Sequence, residues 1–197
     1  MKNFSRAVLA IALMGSSVSI FAAPGETIGS GSGSVTISGN LTTSTCSLAV
    51  TGNNQTFNLT HDQIKSASNG EELTRQTAGF SLNNCAKTPL LVTVTAQASA
   101  GDPLYNQFNE GDNIGIRYQL VGENMNDGRW TWNNSNSQVG NASAVFKNNG
   151  DADAMVFTPV SDSDTFNIHT RVVRHAKGGE QLQNTVSATY NYNIKYK

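Results

Sequence analysis

The chain has 197 residues, 13 of them basic and 14 acidic, for a net charge of −1, and only 14% of its residues are charged. That balance excludes the basic footprint of a nucleic-acid binder, and beyond residue 22 no apolar run reaches the roughly 18 residues of a membrane-spanning helix. Asparagine (23 residues), Ser, Thr and Gly fill the place of charge, as in short strands joined by turns.

At the N-terminus Lys2 and Arg6 precede the apolar run from Ala7 to Met14 and then small residues as far as Ala22. This order matches a secretory signal peptide, and the run is too short to cross a bilayer. Cleavage is expected after Ala22, with Ile20 and Ala22 at the two recognised positions. Loss of residues 1–22 would leave 175 residues, with 11 basic against 14 acidic and a net charge of −3.

The stretch from Ala23 to Ser34 is low in complexity and rich in Gly and Ser, and reads as a flexible linker. It runs into Val35-Thr-Ile37-Ser-Gly39-Asn-Leu41, where alternation predicts a strand with a glycine on its apolar face. Cys46 and Cys85 are the only cysteines. In an exported chain an even count reads as a disulfide. Closing that loop is worth about 4 kcal/mol in the chain-entropy model. The rival reading, a metal site with His61, His169 or His175, lacks any Cys-x-x-Cys or His-x-x-x-His spacing.

Further strands are predicted at Phe57–Leu59, Thr77–Leu82, Leu90–Ala96, Ile114–Leu120, Ala154–Val160 and Phe166–Val172, separated by turn signals such as Asn69-Gly70, Asp127-Gly128 and Gly178-Gly179. Only the stretch from His61 to Thr74 has room for a helical turn or two. The last strand has the clearest signal. Its even positions Val186, Ala188, Tyr190, Tyr192, Ile194 and Tyr196 are apolar, its odd positions polar, so one face is buried and one wetted. It ends the chain, so its neighbours must come from far back in the sequence or from another molecule. Short strands at this spacing predict one all-β sandwich domain.

No nucleophile elbow, zinc-protease motif or phosphate loop is present, so no catalytic residue, metal site or cofactor is assigned and the chain does not read as an enzyme. His169 is expected on the outer, wetted face of its strand, with His61 and His175 in loops. Asp151, Asp153, Asp162 and Asp164 read as exposed loop acids rather than Ca²⁺ ligands, since no bidentate Glu follows at the required spacing. Trp130 and Trp132 share one face of a short strand. That pair is either core packing or an exposed surface for a sugar or protein ligand.

Four pieces in order resemble a subunit of chaperone–usher fimbriae of the type 1 pilin-like kind. They are Gly33-x-Val35-x-Ile37-x-Gly39-x-Leu41 before Cys46, Gly79-Phe80-x-Leu82-x-x-Cys85, Ile168-x-Thr170-Arg171-Val172, and the close Ala188-Thr-Tyr190-x-Tyr192-x-Ile194-x-Tyr196-Lys197. One departure is Asn184, at the place fourteenth from the end where that family often has glycine. The resemblance implies an incomplete immunoglobulin-like β-sandwich lacking its last strand, completed by a donor strand from another subunit. It implies a signal peptide over 1–22, a donor-bearing extension over 23–42 and a pilin domain over 43–197. Val35, Ile37, Gly39 and Leu41 would then be the donor strand. Val186, Ala188, Tyr190, Tyr192, Ile194, Tyr196 and Lys197 would be the accepting and chaperone-binding strand. The implied partners are other fimbrial subunits, a periplasmic chaperone, an outer-membrane usher and, if the chain is instead a tip adhesin, a host receptor or glycan. The implied location is a surface fimbrium reached through the periplasm.

Overall fold

The structure, a computed structural model, describes residues 46–148 and 153–197 and the backbone of 27–34. The signal segment, Val35, Ile37, Gly39, Leu41 and Asp151 therefore lie outside the described residues. Along the chain come β1 (Thr27–Ser34), β2 (Ser47–Thr51), α1 (His61–Ser66), β3 (Glu72–Asn83), β4 (Leu90–Ala96), β5 (Ala98–Ser99) and β6 (Asp102–Asn106). They are followed by β7 (Ile116–Gly122), β8 (Trp130–Trp132), β9 (Met155–Phe157), β10 (Ser163–Arg174) and β11 (Tyr190–Tyr196).

Two sheets face each other. One runs β5-β6-β7-β10-β3-β2 and the other β11-β4-β9-β8, with β1 bonded to both β2 and β11 at the seam. Every pairing among the described strands is antiparallel except β1 with β2. Period-2 alternation sends Phe80 and Leu82 of β3, and Phe166 and Ile168 of β10, into the gap. There they meet rings from the other sheet. Phe80 lies edge-on to Tyr192 at 5.2 Å, and Phe166 lies 5.2 Å from Trp130 and 5.0 Å from Phe157. Each such ring pair contributes about 0.5–1.5 kcal/mol beyond the area it buries.

The disulfide forms between Cys46 and Cys85, with Cα atoms 4.7 Å apart, and joins the start of β2 to the end of β3. Helix α1 begins with a reciprocal cap: Gln63 N–H donates to the Thr60 hydroxyl at 3.1 Å, and Thr60 N–H donates to the Gln63 side chain at 2.8 Å. Its one buried residue, Ile64, ties it to the core. Strand β2 is followed by Gly52, where a φ of +69° and a Cβ that would lie 2.3 Å from the Thr77 carbonyl oxygen leave room only for glycine.

Several expectations are corrected. The Gly-Ser stretch is not a linker over 27–34: its backbone forms a strand. Phe57–Leu59 is not a strand. It alternates because both apolar side chains pack on the core, Phe57 against Phe108 at 6.0 Å, while its backbone has no strand partner among the described residues. The last strand begins at Tyr190, not Val186, because its partner β4 runs out at Ala96, opposite Tyr190. His169 is on the outer face but buried, with Thr77 hydroxyl 2.9 Å from Nδ1 and Glu123 3.5 Å from Nε2. His61 is the first residue of α1 rather than part of a loop. Asp164 belongs to β10 and is buried, paired with Arg129 and accepting from Val160 N–H at 2.9 Å. Alternation assigns a face; it does not say whether neighbouring side chains cover that face.

Candidate functional site: the free edge of the last strand

Strand β11 has two edges. On one, β4 pairs with it from Tyr190–Ala96 to Tyr196–Leu90 without a break. On the other lies β1, at Ser34–Asn191, Gly33–Tyr192 and Ser32–Asn193, then at Thr27–Lys195 after a register shift. A single parallel pair, Gly29–Ser47, joins β1 to β2. A segment from the N-terminal extension thus fills the seam between the sheets. Glycine suits that place: Gly33 stands opposite Tyr192, whose ring already packs on Phe80.

Beyond Ser34 no described residue pairs with this edge. Two adjoining cavities of about 370 Å³ each lie between residues 53–60 and 183–190. The first is walled by Phe57, Phe108, Tyr118, Ala188 and Tyr190, the second by Leu59, Ile64, Ile116 and Asn184, and Val186 lines both. Burial pushes the Tyr190 hydroxyl up to about 12 and raises Tyr118 and Tyr192 for the same reason. The residues lining the two cavities include aromatic, aliphatic and amide side chains such as Asn53, Gln55 and Gln183, and no acidic or basic one.

The segment before β11 is tied down on its other side. Ser187 N–H donates to both Glu110 carboxylate oxygens at 3.0 and 3.1 Å, its hydroxyl donates at 3.0 Å, and Asn109 N–H donates to Ser187 C=O at 2.8 Å. Burial works to raise the Glu110 pKa, but these donors outweigh it and hold the carboxyl below its ordinary value. At the far end Lys197 N–H donates to Pro89 C=O at 3.1 Å, and its ammonium reaches Asn136 at 2.5 Å.

The sequence-predicted accepting residues Val186, Ala188, Tyr190, Tyr192, Ile194 and Tyr196 are therefore brought to one edge, but they divide into two classes. Tyr192 to Tyr196 lie in a strand over filled core; Val186 and Ala188 line open space, and Tyr190, the first residue of β11, does both. Sequence reading missed Phe57, Phe108, Tyr118 and Ile116 as groove walls. Alternation with polar neighbours marked Phe57, Ile116 and Tyr118 as buried, though not Phe108, and nothing local marks which buried residues face a gap.

Trp130 does not offer a binding surface. It is 1% exposed and sits among Phe146, Phe157 and Phe166, which corrects the ligand-binding reading of the tryptophan pair. Trp132 is half-buried against the same core. Among the described residues no group of His, Cys, Asp or Glu is placed to hold a metal ion, and no helix is long and apolar enough to cross a membrane.

No protein-family model matches the chain, and no curated protein matches it. Solved structures do. A chaperone–usher pilus, described for the molecular basis of rod uncoiling, overlies 87% of this chain and 99% of its own length with a TM-score of 0.53 at 18% identity. The fold is that of a pilus rod subunit. The P pilus rod subunit PapA overlies 78% of this chain and 100% of its own, with a TM-score of 0.51 at 16% identity. In this pilus-subunit fold the two sheets and the disulfide-braced β2–β3 pair form the frame, and the seam beside β11 is where β1 enters.

Proposed function

We propose that the chain is a subunit of a chaperone–usher pilus that polymerises by strand exchange at the free edge of β11. It is exported through the periplasm, held there by a chaperone, delivered to an outer-membrane usher and placed in a surface fimbrium. The observation that carries this reading is the occupant of that edge. It is a strand from the N-terminal extension, antiparallel to β11, added to a sandwich with the pilus rod-subunit fold. Strand addition supplies affinity through backbone hydrogen bonds and selectivity through side chains in cavities; both kinds of contact are offered along this one edge. An unfilled edge of this kind pairs with other chains without control, which is the physical reason a chaperone is needed. The alternative, a tip adhesin, had the tryptophan pair as its possible binding surface, and the burial of Trp130 weakens that support.

The test compares two variants by thermal unfolding. One begins at residue 43; the other is the same chain with residues 23–42 appended after Lys197 through a short flexible linker. Because Thr27 stands opposite Lys195, an appended segment enters the seam by a simple reversal. The expected result is a midpoint higher by tens of degrees for the appended variant, since the strand acts at high effective concentration. Equal midpoints would mean a domain already closed without the extension, and the reading would fail.

A further inference from the structure

We infer that Asn109 and Glu110 are positioning residues for strand exchange: touching no exchanged strand themselves, they hold residues 186–188 as a ready-made edge beside the cavities. This rests on the strand-exchange reading above and says how the chain keeps part of its accepting edge in place before a partner arrives. Residues 183–189 need such a hold. They lie outside every strand, and of their side chains only Val186 is half-buried; the others are exposed. Neither a ladder nor core burial fixes them. Left to itself such a segment samples many conformations, and a strand arriving to pair with it would bear the cost of ordering it.

Among the described residues the fastening is concentrated at Ser187. Beyond the N–H that it donates to both Glu110 oxygens, its hydroxyl donates to Glu110 at 3.0 Å and accepts from the Asn109 side-chain amide at 3.0 Å. Its C=O accepts from Asn109 N–H at 2.8 Å. A carboxylate suits this place because it offers two acceptors and its charge strengthens each bond. In an extended chain, neighbouring residues direct their backbone groups to opposite sides. With those of Ser187 turned to Asn109 and Glu110, those of Val186 and Ala188 turn toward the cavities, and neither makes a backbone hydrogen bond among the described residues. The other tie on this segment, His61 Nε2 at 3.4 Å from Gln183 C=O, is longer and sits at its start.

The base of this clasp is fixed by the fold. Phe108 and Gly111 close a tight turn, in which Gly111 N–H donates to Phe108 C=O at 2.9 Å and Gly111 has a φ of +96°. Phe108 is buried, its ring 6.0 Å from Phe57 and 5.2 Å from Tyr118, and all three rings line the first cavity together with Val186 and Ala188. One turn therefore holds one wall of that cavity through Phe108 and another through Glu110, which sets the two at a fixed separation. Asn109 and Glu110 themselves are exposed and line neither cavity, so replacing them leaves the core and the groove walls chemically unchanged.

The test measures uptake of a fluorescent peptide of residues 23–42 by the full chain and by its Glu110→Ala and Glu110→Gln variants, with association and dissociation followed separately. Strand β1 holds residues 191–195 alike in all three, so differences report on the clasp. A pre-set edge speeds pairing, whereas a strand once paired holds residues 186–188 itself. The expected result is association slower by about tenfold in Glu110→Ala, roughly the factor for one more backbone residue to be ordered, with dissociation nearly unchanged. Glu110→Gln, whose amide oxygen still accepts from Ser187 N–H, recovers most of the rate. A residue that only stabilised the domain would lower the thermal midpoint without splitting the two rates. Equal association in the unmodified chain and Glu110→Ala, a loss confined to dissociation, or no recovery in Glu110→Gln overturns the inference and leaves strand exchange standing. If the unmodified chain takes up no peptide at all, strand exchange fails and this inference with it.

Discussion

The two edges of β11 are bonded by the same kind of ladder and held by different physics. Toward β4 the ladder is unbroken over seven residues, and every partner from Leu90 to Val94 is buried, so packing reinforces each hydrogen bond. Toward β1 the partner is a strand rich in Gly and Ser, and the register slips once. A backbone hydrogen bond contributes only about 0.5–1.5 kcal/mol net, whereas a fully buried large aliphatic residue contributes about 1.5–3 kcal/mol. The β4 edge is therefore reinforced by buried side chains, and under the proposed function the β1 edge is the one that exchanges.

The heaviest blow to the β4 side is Trp130→Ala, which removes a ring packed against three others; a loss of about 3–5 kcal/mol is expected in denaturant unfolding. Ile194→Ala, in β11 itself and 0% exposed, should cost about 2–5 kcal/mol by the same measurement. On the β1 side, Ser32→Pro removes a backbone donor and should cost only about 1 kcal/mol, the net worth of one backbone hydrogen bond. An equal loss for Ser32→Pro and Ile194→Ala would erase the distinction. Amide exchange sharpens it without mutation. Alternate residues of β11 direct their N–H groups to opposite edges, so protection should alternate along the strand, highest toward β4 and lower toward β1.

The smallest effect is one of pH. The Glu110 carboxyl is held below its ordinary pKa by Ser187, so its contribution is full above the unfolded value and is lost as pH falls through the folded one. Glu72, bonded to Arg75, and Glu180, bonded to Arg174, are shifted the same way. His175 is lowered by burial and by Arg117, so it too favours the fold above its unfolded value. Acid should therefore weaken the protein, and Glu110→Gln should lower neutral-pH stability slightly while leaving acid stability almost unchanged, which flattens part of that dependence. A steeper acid loss in the Gln variant would contradict the assignment.

What the sequence shows depends on whether a residue's environment is written in its own side chain. Leu90–Ala96 was legible to the residue because both faces of β4 are buried and five consecutive positions declare it. The terminal strand was legible from Tyr190 onward for the opposite reason, a clean two-faced alternation. Residues 27–34 were misread because glycine and serine erase the hydrophobic signal that marks a strand, so the segment looks like a linker. His169 and Asp164 were misread because their burial is supplied by Glu123, Thr77 and Arg129, residues far off in sequence. The groove was half legible. Its apolar rim at Val186 and Ala188 stood out; the facing wall from residues 53–60 did not, because no period there distinguishes packing on a core from lining a gap.

The place of the disulfide has a mechanical consequence. Cys46 is where the N-terminal extension gives way to the first strand of the frame, and it is bonded to Cys85 at the end of β3. If neighbours pull on one another through exchanged strands, tension enters the domain at this point. There it meets a covalent cross-brace before any hydrogen bond of the β2–β3 ladder is loaded. Reduction of that bond should leave a resting fibre intact but let a stretched one peel open from β2. In such a fibre, a link of only two cysteines would govern how load is borne rather than how the fibre is built.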